Sequence, residues 1–204
     1  MCRMLLLWFA LLLALVQGEW VYHYGHTLFS EESFMLYGRM AYGQMQHKAT
    51  FQIQNGYSGV DVHFYLLGEA LQVVTFFVRD NSEVHQECNV SVRIGHVGHH
   101  YSNLYKSVRD VVLENTKKGT QTVVVGSRYG GALAQIFAYD ALYTTRGKFE
   151  IKGVVMFDTP KVGSQDFSAR LCERIFCARV GERNVGFMHP DFKISARELV
   201  KDEL

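Results

Sequence analysis

The most constraining stretch of this chain is residues 122–142, with the sequence TVVVGSRYGGALAQIFAYDAL. It starts with a threonine and three valines, which are β-branched and typical of a buried strand. We expect Gly126 to end that strand, and Gly130 and Gly131 to open a helix of small and apolar residues. A strand, a sharp turn and a helix are therefore predicted at the centre of the fold.

The turn in this stretch has the glycine spacing of a nucleophile elbow, G-x-S-x-G, in which a strained apex residue separates a strand from a closely packed helix. Gly126 and Gly130 occupy the two glycine positions of the motif. The residue between them, where the motif has its nucleophilic serine, is Arg128. A guanidinium has no proton to give at neutral pH and cannot accept an acyl group, so Arg128 does not replace that serine.

Composition narrows the possible functions. The chain has 204 residues, of which 48% are hydrophobic, which is enough for one well-packed domain and too few for two comfortable ones. Its net charge is +1 and it has no basic run interleaved with aromatics, so no nucleic-acid partner is expected. No metal or other cofactor is expected either, because His96, His99 and His100 lack the acidic residue of an H-E-x-x-H zinc site and Gly98 interrupts their helical spacing.

The two ends of the sequence indicate the secretory pathway. Arg3 precedes an apolar run at 4–16, which is shorter than the roughly 20 residues that span a bilayer, and this pattern predicts a signal peptide over 1–18. The last four residues, 201–204, read KDEL, the tetrapeptide that the ER-retrieval receptor recognises. We therefore expect a single mature domain over 19–204 in the lumen of the endoplasmic reticulum (ER), without a transmembrane segment.

Entry into the ER makes covalent modification relevant. Removal of the signal peptide leaves Cys88, Cys172 and Cys177, an odd number that implies one pair plus a free thiol, or an intermolecular bond. Cys172 and Cys177 are close enough in sequence to form a disulfide, and the alternative is that they are buried thiols. Asn89 begins the sequon Asn-Val-Ser and is a predicted glycosylation site.

Hydrophobic periodicity predicts alternating strands and helices over most of the remaining chain. The predicted strands are 50–54, 60–67, 71–78, 90–94, 122–125, 151–157 and 176–180. One predicted helix begins near Ser30, and the other three span 99–117, 130–144 and 164–174. This alternation predicts an α/β fold with a mostly parallel central sheet covered by helices on both faces.

Several of these segments, in the same order, resemble the class 3 (fungal-type) lipases of the α/β-hydrolase fold. The two most specific are GSRYGGALA at 126–134, where the family has GHSLGGALA, and PKVG at 160–163, where it has PRVG. VRDN at 78–81 and HVGH at 96–99 correspond to the family's R-G-T and H-x-G-F segments, and RNVG at 183–186 and FKISARE at 192–198 match weakly. The resemblance covers residues 60–200 and implies an α/β-hydrolase-like domain.

Carried over residue by residue, the resemblance implies that the catalytic triad is missing. The serine position is Arg128, the aspartate position is Asn184 and the histidine position is Ile194. Asn81 and Tyr129 are the candidates for the oxyanion position. Without the alkoxide no acyl-enzyme forms, and an oxyanion hole alone retains only a small part of the rate acceleration.

The leading hypothesis is therefore a catalytically inactive, lipase-like protein that uses the former pocket to bind a lipid, an acidic ligand or a luminal protein client. Arg128 would stand beside the free N–H groups of a helix N-terminus, which already favour an anion. The alternative is an active carboxylic ester hydrolase that uses Ser127, although a residue one position before the apex should point in another direction. Asp158, at the carboxyl end of a predicted strand, is a second candidate site residue, whereas Asp166 suits the first turn of a helix.

Overall fold

The computed structural model describes residues 27–29, 31–45, 49–55, 58–67, 70–79, 89–181 and 186–187. The chain divides into two compact units, Met1–Gly38 and Arg39–Leu204. Within the first, helix α1 (Glu31–Ala41, which continues into the second unit) follows a 3₁₀ turn at Thr27–Phe29. The Tyr37 hydroxyl donates to the Leu28 carbonyl at 2.8 Å, which joins the turn to the helix. The expectation of one domain over 19–204 stays a prediction.

The second unit is built on a mixed sheet. Its strands are β1 (Ala49–Asn55), β2 (Ser58–Leu67), β3 (Leu71–Val78), β6 (Gln121–Ser127), β7 (Glu150–Phe157), β8 (Phe176–Val180) and β9 (Gly186–Phe187), in that spatial order. The four central strands, β3, β6, β7 and β8, run parallel, and the strands at both edges pair antiparallel. Two further strands, β4 (Asn89–Val92) and β5 (Gly95–Gly98), form a separate antiparallel hairpin.

Three helices of this unit connect the parallel strands: α2 (His99–Asn115), α3 (Tyr129–Tyr143) and α4 (Gln165–Cys172). Helix α3 follows β6, contacts β3, β6, β7 and α2, and is buried from Gly130 to Ala141, which explains why it is apolar on all sides. Helix α2 instead buries one face, formed by Tyr101, Tyr105, Val108 and Val112. Among the described residues, no helix combines the length and the apolar character needed to cross a membrane.

A buried carboxylate joins the two helices. Asp140 on α3 accepts hydrogen bonds from the Tyr105 hydroxyl at 2.8 Å and from Nε and Nη2 of Arg109 at 2.7 and 3.2 Å, both on α2. Burial, and then the nearby Asp140 charge, raise the pKa of the Tyr105 hydroxyl above its ordinary value, so it remains a donor. The Arg109 guanidinium reaches both carboxylate oxygens, so the helices are held in register by a paired charge.

The α/β class and the parallel centre of the sheet are confirmed, and β3 and β8 have the predicted bounds. Several local predictions were wrong. The elbow strand continues through Gly126 to Ser127, because these residues pair with Met156 and Phe157 on β7. Helix α3 begins at Tyr129, one residue earlier than predicted, and two short strands, β5 and β9, lie where no strand was predicted.

Candidate functional site

The elbow is formed where β6 passes directly into α3 at Arg128. The backbone of Arg128 has φ 50° and ψ −123°, a conformation that non-glycine residues rarely adopt. Its N–H donates to the Phe157 carbonyl at 2.8 Å, and its own carbonyl accepts from the Gly131 N–H at 3.1 Å. The apex is therefore held by β7 on one side and by the first turn of α3 on the other.

The glycines of the elbow stand where a side chain would overlap another atom. A Cβ on Gly126 would clash with the carbonyl of Gly130, and a Cβ on Gly130 would clash with the carbonyl of Phe76 on β3. A Cβ on Gly131 would clash with the Thr159 hydroxyl. The close approach of strand and helix that a nucleophile elbow requires is thus present, although its apex carries an arginine.

The apex side chain is directed to solvent. Arg128 is exposed, and its guanidinium makes no hydrogen bond or ion pair with any residue that the structure describes. Two other arginines near the carboxyl ends of the central strands are engaged. The Arg79 Nε donates to Asp61 at 2.7 Å, and Arg179 donates to the Thr159 carbonyl. Arg128 thus differs from both in offering its full hydrogen-bonding capacity to an external group.

Ser127 has a different environment from the apex. Its side chain is buried, with 4% of the residue exposed, and its hydroxyl donates to the Ala41 carbonyl at 3.0 Å. A catalytic serine needs its oxygen to face the substrate and its proton to be given to a base. The Ser127 proton is instead directed to a backbone carbonyl, which cannot serve as that base.

A carboxylate stands beside the apex. Asp158 follows β7 directly, has φ 48°, and is exposed. Its N–H donates to the Val180 carbonyl at 2.7 Å, and its Oδ2 accepts from the Tyr42 hydroxyl at 2.7 Å. The Tyr42 ring lies 6.1 Å from the Phe157 ring, measured between centroids. Tyr42 therefore orients the Asp158 carboxylate at the edge of the sheet where α/β folds bind ligands.

Two exposed aromatic side chains flank this site. Tyr42, beside Asp158 and Phe157, is 42% exposed, and Phe77, whose Cα lies 3.3 Å from the position that a Cβ on Gly130 would take, is 36% exposed. The sequence did not reveal Tyr42 as a site residue, because 116 residues separate it from Asp158. The described part of the site thus combines an arginine that is unpaired within the described structure, a carboxylate and two exposed aromatic residues.

Of the two oxyanion candidates the structure describes Tyr129, which lies close to one of the histidines. Tyr129 is the first residue of α3, and its ring lies 6.4 Å from His100 and 5.9 Å from Tyr101. Burial and the neighbouring His99 lower the pKa of His100, which favours its neutral form. No group of three or more His, Cys, Asp or Glu side chains within the described ranges is arranged to hold a metal.

The two family-like segments outside the elbow contact one another. The Gly98 N–H donates to the Val162 carbonyl at 2.9 Å, the Ser164 N–H donates to the His96 carbonyl at 2.8 Å, and Val97 bridges Gly163. A Cβ on Gly163 would clash with the His96 carbonyl, which accounts for the glycine of PKVG. These bonds fix the β4–β5 hairpin against the chain that leads into α4.

Some of the remaining predicted residues are described by the structure, and others lie outside the described ranges. A disulfide joins Cys172 to Cys177, with Cα atoms 5.4 Å apart, and connects the end of α4 to β8. Asn89 is exposed at the start of β4. Asn81, Cys88, Asn184 and Ile194, as well as the segments 1–18 and 201–204, lie outside the described residues. The aspartate and histidine positions of the triad therefore stay predictions.

The backbone of Arg128 allows a direct test of strain at the apex. We expect Arg128→Gly to raise the free energy of unfolding by about 1 kcal/mol, because glycine adopts this conformation without a Cβ penalty, partly offset by a more flexible unfolded chain. Arg128→Ala keeps the Cβ and should change stability by less than about 0.5 kcal/mol. Urea denaturation measures both values. Equal stability of the two variants would show that no strain is stored there.

Comparison with known proteins agrees with this geometry. A model of the class 3 lipase family matches residues 42–183, more than half of the chain. A lipase from Rhizopus microsporus var. chinensis has a similar structure, with a TM-score of 0.59 and 15% identity, over 76% of this chain and 67% of that one. Lipase II from Rhizopus niveus has a TM-score of 0.53 and 16% identity, over 66% of this chain and 57% of that one. A fungal lipase–inhibitor complex has a TM-score of 0.50 and 18% identity, over 79% of this chain and 71% of that one.

At these identities the structural likeness establishes the fold alone, and this chain spans 67% and 57% of the lengths of the two Rhizopus lipases. No curated protein sequence matches it. The family match covers the elbow, the hairpin and the PKVG segment, which are the parts whose contacts are described above. On that match, the chain belongs to the class 3 lipase family.

Proposed function

We propose that this chain is a catalytically inactive member of its family, which resides in the ER lumen and binds a lipid or acidic ligand, or a luminal protein client, at the former catalytic elbow. The observation that carries the proposal is Arg128, which occupies the apex position and the strained backbone conformation of the nucleophile. Luminal residence rests on the predicted signal peptide and on the KDEL sequence, which the ER-retrieval receptor would bind.

The absence of hydrolysis follows from the chemistry of the apex. Acyl transfer needs an oxygen or sulfur nucleophile whose proton passes to a base, and a guanidinium provides neither. Ser127 does not compensate, since its hydroxyl is buried and donates to the Ala41 carbonyl. Esterase activity through Ser127 remains the alternative hypothesis, and no contact of that residue favours it.

Binding is supported by what surrounds the arginine. The Arg128 guanidinium is exposed and unpaired within the described structure, and it adjoins the first turn of α3, whose free N–H groups favour negative charge. The exposed rings of Tyr42 and Phe77 add apolar surface on both sides. A charged head group attached to an apolar chain fits this combination better than a small hydrophilic ion does.

The test combines a reactivity assay with a binding assay on the purified mature chain. We expect no labelling by a fluorophosphonate probe and no turnover of a short-chain nitrophenyl ester, with a fungal class 3 lipase as the positive control. Dodecanoate should bind, and Arg128→Gln should weaken that binding about fivefold, because a charge-assisted hydrogen bond is lost. Isothermal titration calorimetry measures the affinity.

Arg146→Gln is the matched control, since Arg146 is also an exposed arginine with a left-handed φ, 58°. Its dodecanoate affinity should equal that of the wild type. Probe labelling that Ser127→Ala abolishes would establish the esterase alternative. Identical titrations for the wild type and Arg128→Gln would remove the binding role of the apex.

A further inference from the structure

The central strands bring three loops together at the edge of the sheet opposite to the elbow. These loops, 116–120, 144–149 and 173–175, lead into β6, β7 and β8, which are parallel neighbours in the sheet. Three neighbouring strands span about 10 Å across a sheet, so the loops lie side by side. We call this surface, with the adjoining ends of α2, α3 and α4, the amino edge.

Exposed cations border the starts of all three strands. The loops before β6 and β7 each carry two, the loop before β8 carries one, and another lies in the last turn of α4. None of the six side chains forms a hydrogen bond or ion pair with any residue that the structure describes. Their charges are therefore available to an external group. They are Lys117, Lys118, Arg146, Lys148, Arg170 and Arg174.

The backbone that carries these cations is held to its surroundings. The Lys117 N–H donates to Oε1 of Gln72 on β3 at 2.9 Å, which fixes the first loop. The Tyr143 hydroxyl, at the end of α3, donates to the Arg170 carbonyl at 3.3 Å and so joins the ends of α3 and α4. The disulfide connects the third loop to β8, with Cα atoms 5.4 Å apart. The cations therefore stand on a common, ordered surface.

Few carboxylates oppose these charges within the described structure. Glu150, the first residue of β7, is already paired with Lys152 at 2.6 Å. Glu173 in the third loop and Glu114 near the end of α2 are the other acidic residues in these segments. The amino edge thus has a positive surplus, although the whole chain has a net charge of only +1. Overall composition conceals this surplus, because the rest of the sequence is net negative.

The composition of the amino edge indicates the kind of partner. None of the exposed large apolar side chains that the structure describes, Met35, Tyr42 and Phe77, belongs to these loops. Proteins that lie on a membrane usually add apolar or aromatic side chains to their cations. Anionic lipids are moreover concentrated in the cytoplasmic leaflet, on the other side of the membrane from the lumen predicted for this chain. An acidic polypeptide needs neither an apolar anchor nor a bilayer.

We infer that the amino edge binds an acidic segment of a partner protein, whose aspartate and glutamate side chains pair with the cations of the three loops. This surface is distinct from the elbow, because the eight residues of β7 separate the two ends of the sheet by about 25 Å. The inference goes beyond the proposed function, since a partner bound at the amino edge leaves the elbow free for its own ligand.

The test uses a fluorescein-labelled oligoglutamate peptide of about twelve residues and measures its fluorescence anisotropy with the purified protein. We expect the peptide to bind at about 50 mM NaCl and to bind at least about tenfold more weakly at about 200 mM, because salt screens exposed charges. Lys118→Gln and Lys148→Gln should each weaken binding about threefold, and the double variant about tenfold. Dodecanoate titration of the double variant should match the wild type.

Lys106→Gln is the matched control, since Lys106 is an exposed lysine in the middle of α2 and its loss changes the net charge equally. It should leave peptide binding unchanged. If Lys106→Gln weakens the peptide as much as Lys118→Gln does, the amino edge is not the site and the inference is wrong. It is also wrong if the wild type binds vesicles of phosphatidylcholine and phosphatidylserine but not the peptide, or if it binds neither.

Discussion

Gly130→Ala is expected to destabilise the protein by at least about 3 kcal/mol, enough to prevent accumulation of folded protein from a marginally stable domain. The added Cβ would overlap the carbonyl oxygen of Phe76, which belongs to the backbone of the parallel strand β3 and cannot rotate away. Helix α3 cannot retreat either, because it is buried from Gly130 to Ala141 and packs against β3, β6 and β7. Urea denaturation measures the loss, with soluble yield as a second measure.

Gly147→Ala is the matched control. Gly147 has a left-handed φ of 71°, and a Cβ there would meet nothing within 4 Å, so this substitution costs only the backbone strain. We expect about 1 kcal/mol for it, as for other alanines placed at positive φ. Gly130 has no left-handed φ, so the loss for Gly130→Ala beyond that for Gly147→Ala is attributed to the close approach of α3 to β3. Equal losses of stability would mean that the close approach of α3 to β3 does not add to the cost of the substitution.

Asp140→Asn should have the second largest effect, a loss of about 2–3 kcal/mol in the free energy of unfolding. The substitution keeps the size of the side chain but removes the charge that faces Arg109, and it directs an amide against a guanidinium donor. A buried pair that loses one partner typically costs about 3–5 kcal/mol, and we expect less because the Arg109 side chain is 38% exposed.

The neighbouring Asp110 provides an internal control for this prediction. It pairs with the same guanidinium at 3.4 Å, but its own side chain is 84% exposed. Asp110→Asn should therefore cost less than about 0.5 kcal/mol, because solvent screens an exposed pair. Urea denaturation of both variants at one salt concentration makes the comparison. Losses that agree within error would show that burial of Asp140 contributes nothing to the strength of its pairing.

The elbow shows how far local sequence could lead. The β-branched run before Gly126 predicted the central strand, and the glycine spacing around Arg128 predicted the sharp turn and the helix. These predictions succeeded because hydrophobic periodicity and the steric demand for glycine are properties of neighbouring residues. The same local rule failed at Gly126 itself, since pairing with Met156 on β7 extends the strand through it.

The sequence by itself determined the α/β class, the central strand and turn, and the presence of an arginine where a nucleophile would stand. Only the tertiary structure decided the environment of that arginine: the burial of Ser127 against Ala41, and the contact of Tyr42 with Asp158 across 116 residues. The physical reason is that local patterns record what a residue needs from its neighbours in the chain. The register of β6 and β7, in contrast, determines which distant side chains share the edge of the sheet.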